Sequence, residues 1–272
     1  MEFGVCYNVV DVLRESPDKL DEQLGIISDS VFGYIEITAV SCAGLTVNEI
    51  ADINKTLLKH GLTAKRACIL FPGDMKVVGD ERNEKIIREY LEGLMPKLYK
   101  LGVEIVVFGS GGARRVPDGF DYETAFDQFC DTAGIVTDIA GKYDIKIALE
   151  HLNPKECNLL TTVDETVKAV RKVNNPGCGL LFDYYHVDLN TGDIDNVMKA
   201  KDVLIHSHIA VPDSRLYPSA GDENALRPYF SALKDADYNV TVSIEATLNE
   251  NKSFKENLKD AFAVLNNLGD EK

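Results

Sequence analysis

Basic residues are scarce in this chain: 29 Lys and Arg stand against 44 Asp and Glu, a formal net charge of -15 in 272 residues. That balance argues against a nucleic-acid partner, because affinity for a polyanion comes largely from Lys and Arg replacing the counterions on phosphates. A small neutral or locally steered ligand fits better. The opening MEFGVCYNVVDVL has no basic region and no long apolar run, so neither a signal peptide nor a membrane anchor is expected and a cytoplasmic location follows. Six cysteines occur, at 6, 42, 68, 130, 157 and 178, with no CxxC pair and no zinc-ribbon spacing. They read as reduced, mostly buried small hydrophobes. No Pro/Gly/Ser-rich linker, low-complexity tract or break in composition divides the chain, which favours one domain over residues 1–272. The glycine fingerprint of a dinucleotide fold is missing after the first apolar run, where Cys6-Tyr7-Asn8-Val9 follows.

What the sequence does have is repetition of one pattern. Short apolar runs alternate with longer amphipathic stretches from end to end, the signature of strand-helix units and a parallel sheet. Candidate strands are 3–6, 34–37, 64–70, 103–108, 145–149, 178–182, 203–208 and 240–244. Eight units in 272 residues give about 34 residues each, close to what a single (β/α)8 TIM barrel requires; a doubly wound open sheet is the alternative. Between the strands, Ile86, Ile87, Tyr90, Leu91, Leu94, Leu98 and Leu101 trace one apolar helix face, with Pro96 a potential kink. Capping boxes are expected at Thr46 with Glu49, Thr162 with Glu165 and Ser253 with Glu256.

An eight-unit barrel carries its chemistry at the carboxyl ends of its strands. Four polar residues close apolar runs there: Glu150 after IKIAL, Asp183 after GLLF, His208 at the end of VLIHSH, and Glu245 after VTVSI. Strand alternation puts Glu150 on the face of Ala148, and Glu245 on the face of Ser243 and Thr241, towards the barrel interior. A lone strand-end Glu is ordinarily a solvated loop carboxylate. Three carboxylates converging in an enclosed mouth repel one another unless a cation neutralises them. One imidazole with three carboxylates is a hard, oxygen-rich set, suited first to Mn2+, with Mg2+, Co2+ or Zn2+ as further options.

The chain resembles the xylose-isomerase-like barrel superfamily of sugar phosphate isomerases and epimerases, most closely its ketose 3-epimerase (D-tagatose/D-psicose 3-epimerase-like) branch. The likeness runs over essentially the whole length. Glu150-His-Leu-Asn153-Pro-Lys-Glu156 is similar to the family's ExxNxxE, Asp183-Tyr-Tyr-His186 to its DxxH, and Ser243-Ile-Glu245 to its closing SxE. The resemblance implies Glu150, Asp183, His208 and Glu245 as metal ligands, Glu150 and Glu245 as the catalytic acid-base pair, and Glu156, His186 and Arg215 as substrate contacts. It also implies a possible homo-oligomer and a ketose or related small sugar, epimerised through an enediolate by proton exchange at the two glutamates. Aldose-ketose or sugar-phosphate isomerisation needs the same intermediate.

Alternatives stand beside these roles. Glu156 reads otherwise as a loop surface charge, His186 as a helix-start residue without a ligand, and Arg215 as a surface partner of Asp213. Glu36, ending the second strand, is a further candidate substrate contact. His206 is expected to be structural, and His60 and His151 to face away. Residues 108–115 (FGSGGARR) would suit an anion-binding nest, but a glycine-rich turn with a solvated Arg114–Arg115 pair is preferred. An endonuclease-like metal hydrolase is disfavoured because Phe71, Gly109 and Ser110 stand where such relatives place extra histidines, and Pro212-Asp213-Ser214-Arg215 carries no DxH. A non-catalytic sugar-binding barrel is the last alternative.

Overall fold

The structure, a computed structural model, describes residues 1–270. Eight parallel strands close on themselves in sequence order: β1 (Glu2–Cys6), β2 (Tyr34–Thr38), β3 (Arg66–Cys68), β4 (Ile105–Phe108), β5 (Lys146–Glu150), β6 (Cys178–Asp183), β7 (Leu204–Ile209) and β8 (Thr241–Ile244). β1 closes the ring by pairing with β8 as well as β2, Gly4 lying opposite both Tyr34 and Ser243. This is a single (β/α)8 TIM barrel, not an open doubly wound sheet.

Alternation along the strands sorts their side chains into two cores. Ile147 and Leu149 of β5, Val106 and Phe108 of β4, and Leu180 and Phe182 of β6 pack outward with the helices. Val107, Ala148, Leu181, Ile105 and Cys68 form a separate inner cluster, with Cys6 against it. The lower interior is polar: Arg66 donates to Thr241 Oγ1 and pairs with Glu104. Above it, the Tyr34 ring passes over Gly4 of β1 to Ser243 Oγ on β8, 2.9 Å away. Gly4 is required beside that ring, since a Cβ there would lie 2.3 Å from it.

The helices follow the apolar faces of the sequence. Glu84–Lys100 buries Ile87, Leu91, Leu94 and Leu98, continues through Pro96, and is capped by the Asn83 side chain. The boxes at Thr46/Glu49 and Thr162/Glu165 form in full, and Ser253 and Glu256 bond reciprocally. Strand β3 is shorter than its apolar run, because Ile69 turns the chain at a φ of 54°. Among the described residues no helix is long and apolar enough to cross a membrane. All six cysteines are free thiols and all but Cys6 are buried.

Candidate metal centre

Glu150 and Asp183 are the last residues of β5 and β6, His208 is the last but one of β7, and Glu245 follows β8 directly. All four sit on the interior parity, and barrel closure brings them to one point at the carboxyl end. His208 Nδ1 lies 3.7 Å from Glu150 Oε1, 3.8 Å from Asp183 Oδ2 and 3.9 Å from Glu245 Oε2. None of these is a hydrogen-bond length. His208 Nδ1, Glu150 Oε1 and His186 Nε2 are buried, without hydrogen-bond partners, and face one another across this gap. Buried polar atoms are nearly always satisfied, so three orphans around one gap need an explanation.

The hydrogen bonds on the far side of each imidazole fix its tautomer. His208 Nε2 lies 3.0 Å from Glu36 Oε1, and His206 Nε2 lies 2.8 Å from Glu36 Oε2. An ionised carboxylate only accepts, so both Nε2 atoms carry protons. When neutral, His208 therefore presents a bare lone pair at Nδ1, as a metal ligand must. His186 is the converse. Its Nδ1 receives the backbone N–H of Asn153 at 3.3 Å and faces the Asn153 side-chain amide at 2.9 Å. A backbone N–H is always a donor, so His186 Nδ1 is bare and Nε2–H is aimed into the gap. His186 is thus a donor to an oxygen, although its ring lies among Glu150, Asp183 and Glu245.

Local structure sets the carboxylates equally firmly. Asp183 caps the helix Tyr184–Asn190, Oδ1 accepting from His186 N at 3.2 Å, while Oδ2 turns to His208. Glu150 is held at its carbonyl by Arg114 Nη1 at 2.7 Å. Its carboxylate occupies space left by Gly109, where a Cβ would lie 1.9 Å from Glu150 Oε2. Glu245 Oε2 accepts from Arg215 Nη2 at 2.9 Å, and Arg215 Nη1 donates to Glu156 Oε1 at the same distance. The Arg215 guanidinium lies over the Tyr185 ring, 4.7 Å from its centroid. Arg215 holds a φ of 54°, a strained conformation for a residue with a Cβ. Its backbone bonds to Val211 O and from Thr247 N lock it there.

The electrostatics describe a site short of a cation. Burial pushes the Asp183 carboxyl up to about 6, only partly opposed by His208. Burial likewise raises Glu150, against His208 and with Glu245 adding to the rise. Burial also works against charge on Glu36 and His208. Their mutual attraction, with His206 beside Glu36, nevertheless holds the Glu36 carboxyl well below the usual range and the His208 imidazolium well above it. Without a cation, protons neutralise the cluster. One nitrogen and three carboxylate oxygens around a gap lined by orphaned atoms fit a hard divalent ion.

All of Glu150, Asp183, His208, Glu245, Glu156, His186 and Arg215 are gathered at this mouth. Arg215 does not use Asp213 as its partner. Three expectations are corrected. Glu36 is fully buried and bonds two histidines, so it is a support for His208 rather than a substrate contact. His151 faces the site's backbone, its Nε2 accepting from Asp183 N at 3.3 Å. Arg114 is not solvated: its short helix Gly111–Arg114 tucks it under β5 and over the Phe129 ring, while Arg115 donates to Glu156 O. The two glycines before it, Gly111 and Gly112, lie against Leu152 and Gly73, and Arg114 Nε and Nη2 are buried without hydrogen-bond partners.

A model of the xylose isomerase-like TIM barrel family matches residues 28–268. The chain belongs to that family. It is 25% identical over 264 residues to an inosose isomerase of Bacillus velezensis, covering 89% of this chain and 87% of that protein. The crystal structure of a D-allulose 3-epimerase from Methylomonas sp. superposes with a TM-score of 0.84 at 20% identity, covering 98% of both chains. That of an IOLI protein with a bound zinc atom superposes with a TM-score of 0.71 at 22% identity, covering 99% of this chain and 98% of that one. At those identities the two structures speak for the fold alone.

Proposed function

We propose that this chain is a divalent-metal-dependent isomerase that epimerises a small polyhydroxylated ketone, its residues 1–272 forming one catalytic domain. Glu150, Asp183, His208 and Glu245 would hold the ion, Mn2+ first among the candidates. When bound, the ion supplies a Lewis acid that polarises the substrate carbonyl and acidifies the neighbouring C–H. The carrying observation is the convergence of three carboxylate oxygens within 3.9 Å of one buried imidazole nitrogen that has no hydrogen-bond partner.

Glu150 and Glu245 reach the mouth from β5 and from the end of β8, on different sides of it. One, ionised, takes the proton next to the carbonyl, leaving a planar enediolate; the other, which starts protonated, gives its own proton to the opposite face and inverts the centre, so the two glutamates exchange protonation states in each turnover. Arg215 orients Glu245 through Oε2, and His186 Nε2–H would donate to a substrate oxygen. Glu156, bonded to Asn153 and Arg215, closes the polar rim.

The test is to incubate the Mn2+-loaded protein with ketoses in D2O and follow deuterium entering the carbon beside the carbonyl. Glu150→Gln and Glu245→Gln should each abolish exchange into both epimers or leave one epimer alone exchanging. Wild-type exchange in both variants would refute the two-base scheme. A cyclic keto-polyol belongs in the panel, because the inosose isomerase likeness spans 89% of the chain. Exchange into that compound alone would move the substrate class from open-chain ketoses to inososes.

A further inference from the structure

Beside the hard cluster, the barrel mouth holds two thiols that the function above leaves unused. Cys6 ends β1 and Cys68 ends β3, and both point inward with the inner core cluster. Their sulfur atoms and one carboxylate oxygen of Glu245 lie within 4.8 Å of one another. Cys6 is also within 4.8 Å of donor atoms of Glu36 and His208, so it stands between the two clusters. Cys6 is partly exposed as a residue, whereas the other five cysteines are buried.

Proximity of two thiols usually invites a disulfide, but here the strands forbid it. β2 lies between β1 and β3, and Cys6 is level with Glu36 whereas Cys68 is level with Thr38. Two strand spacings of about 4.8 Å separate the Cα atoms by roughly 9 Å before the offset along the strands is added, already beyond the ~7 Å a disulfide spans without backbone movement. A bridging cation has no such limit. With metal–sulfur bonds of about 2.3 Å, a tetrahedral ion accepts sulfur atoms nearly 4 Å apart.

We propose that Cys6, Cys68 and Glu245 form a second cation site, selective for a thiophilic divalent ion such as Zn2+ or Cd2+. On binding, each thiol releases its proton to solvent and the sulfur lone pairs form the new bonds. The donor set of two sulfurs and one oxygen is soft where the neighbouring set of one nitrogen and three oxygens is hard, so the two sites sort cations by type. Because Glu245 belongs to both, an ion on the thiols withdraws a ligand and an acid-base group from the centre proposed above. That consequence rests on the preceding functional reading; the thiol site itself does not.

The experiment is a titration of Mn2+-saturated protein with CdCl2, reading the near-ultraviolet sulfur-to-cadmium charge-transfer band and, by electron paramagnetic resonance, released Mn2+. The expected result is a band saturating at one Cd2+ per chain, absent from Cys6→Ala and Cys68→Ala and retained in Cys157→Ala. Glu245→Gln should weaken Cd2+ binding by about tenfold or more. A wild-type measurement stands beside the variants: Cd2+ should slow alkylation of Cys6 by iodoacetamide, read by peptide mass mapping. No band at one equivalent, a band that survives both cysteine variants, or Cys6 labelling indifferent to Cd2+ would overturn the site. Unchanged Cd2+ affinity in Glu245→Gln would overturn its sharing. A protein that never binds Mn2+ yet gives the cysteine-dependent band would sink the hard centre and leave the thiol site standing.

Discussion

Removing the charge of Glu36 tests whether His208 is prepared for a metal by a residue that never touches one. Glu36 is fully buried and accepts one N–H from each imidazole, 2.8 Å from His206 Nε2 and 3.0 Å from His208 Nε2. Glu36→Gln offers one oxygen and one NH2 to two N–H donors, so one ring must move its proton to Nδ1. His206 can do so, because its Nδ1 already lies 3.2 Å from the carbonyl of Thr241. His208 then keeps its oxygen acceptor and loses only the charge. Glu36→Ala removes the acceptor altogether and frees the His208 tautomer. Losing such an outer partner costs about 10- to 100-fold in metal affinity, or ~1.4–2.7 kcal/mol. We place Gln near the lower figure and Ala near the upper. A second effect opposes the first. Glu36 raises the proton affinity of His208 in the metal-free protein, so its removal also relieves competition by that proton. The deficit should therefore be larger at pH ~8.5, where fewer protons compete, than at pH ~6. The assay is Mn2+ binding by electron paramagnetic resonance at both pH values, on variants shown folded by circular dichroism. Affinity within about threefold of wild type for both variants at the higher pH would refute the reasoning.

The same proton balance predicts how metal stabilisation varies with pH. Asp183 at about 6 and the raised His208 both hold protons more tightly folded than unfolded, so their stabilisation of the metal-free fold is full at low pH and lost as pH rises, for Asp183 through about 6 and for His208 above the usual imidazole range. Glu36, lowered in the fold, contributes with the opposite sign, and its share is lost only as pH falls below the usual carboxylate range. The Mn2+-induced rise in Tm should accordingly grow between pH ~5.5 and ~8; a flat or shrinking rise in differential scanning calorimetry would contradict it. Gly109→Ala would drive a Cβ to 1.9 Å from Glu150 Oε2, so the carboxylate must move while the barrel survives. Turnover should fall by about a hundredfold with Tm nearly unchanged, and undiminished deuterium exchange would show that Glu150 has room to spare. Thr162→Ala should cost ~1 kcal/mol by urea denaturation through loss of the box with Glu165, whereas a change below ~0.3 kcal/mol would mean that the helix start is held by packing alone.

The barrel was legible because its signals are local and repeated. Each apolar run alternates with an amphipathic helix, and each strand-end polar residue announces itself by breaking an apolar pattern. That rule finds Glu150, Asp183, His208 and Glu245 without any knowledge of pairing. It fails where a role depends on which distant strands meet. Glu36 also breaks an apolar pattern, in the middle of β2, but only closure of the ring brings it within reach of β7 and its two imidazoles. Cys6 and Cys68 look like ordinary core residues until the inner faces of β1 and β3 converge. Gly109 has no side chain to notice; its contribution is the space it leaves for Glu150. Arg114 misleads in the other direction, since two consecutive arginines after glycines resemble a solvated turn. A one-turn helix instead carries one of them to the Glu150 carbonyl.

Residue type alone does not separate the two histidines at the centre. Both rings lie among the same carboxylates, His186 Nε2 at 3.9 Å from Glu150 Oε1 and from Asp183 Oδ2, much as His208 Nδ1 lies from the same two groups. What separates them is the partner on the remote nitrogen. A carboxylate behind His208 forces the proton away from the site and leaves a ligand; a backbone N–H behind His186 forces the proton into the site and leaves a donor. If the site turns over a ketone, these two rings divide the labour between holding the ion and steadying a substrate oxygen. Exchanging their remote partners would exchange their roles before any change to the rings themselves.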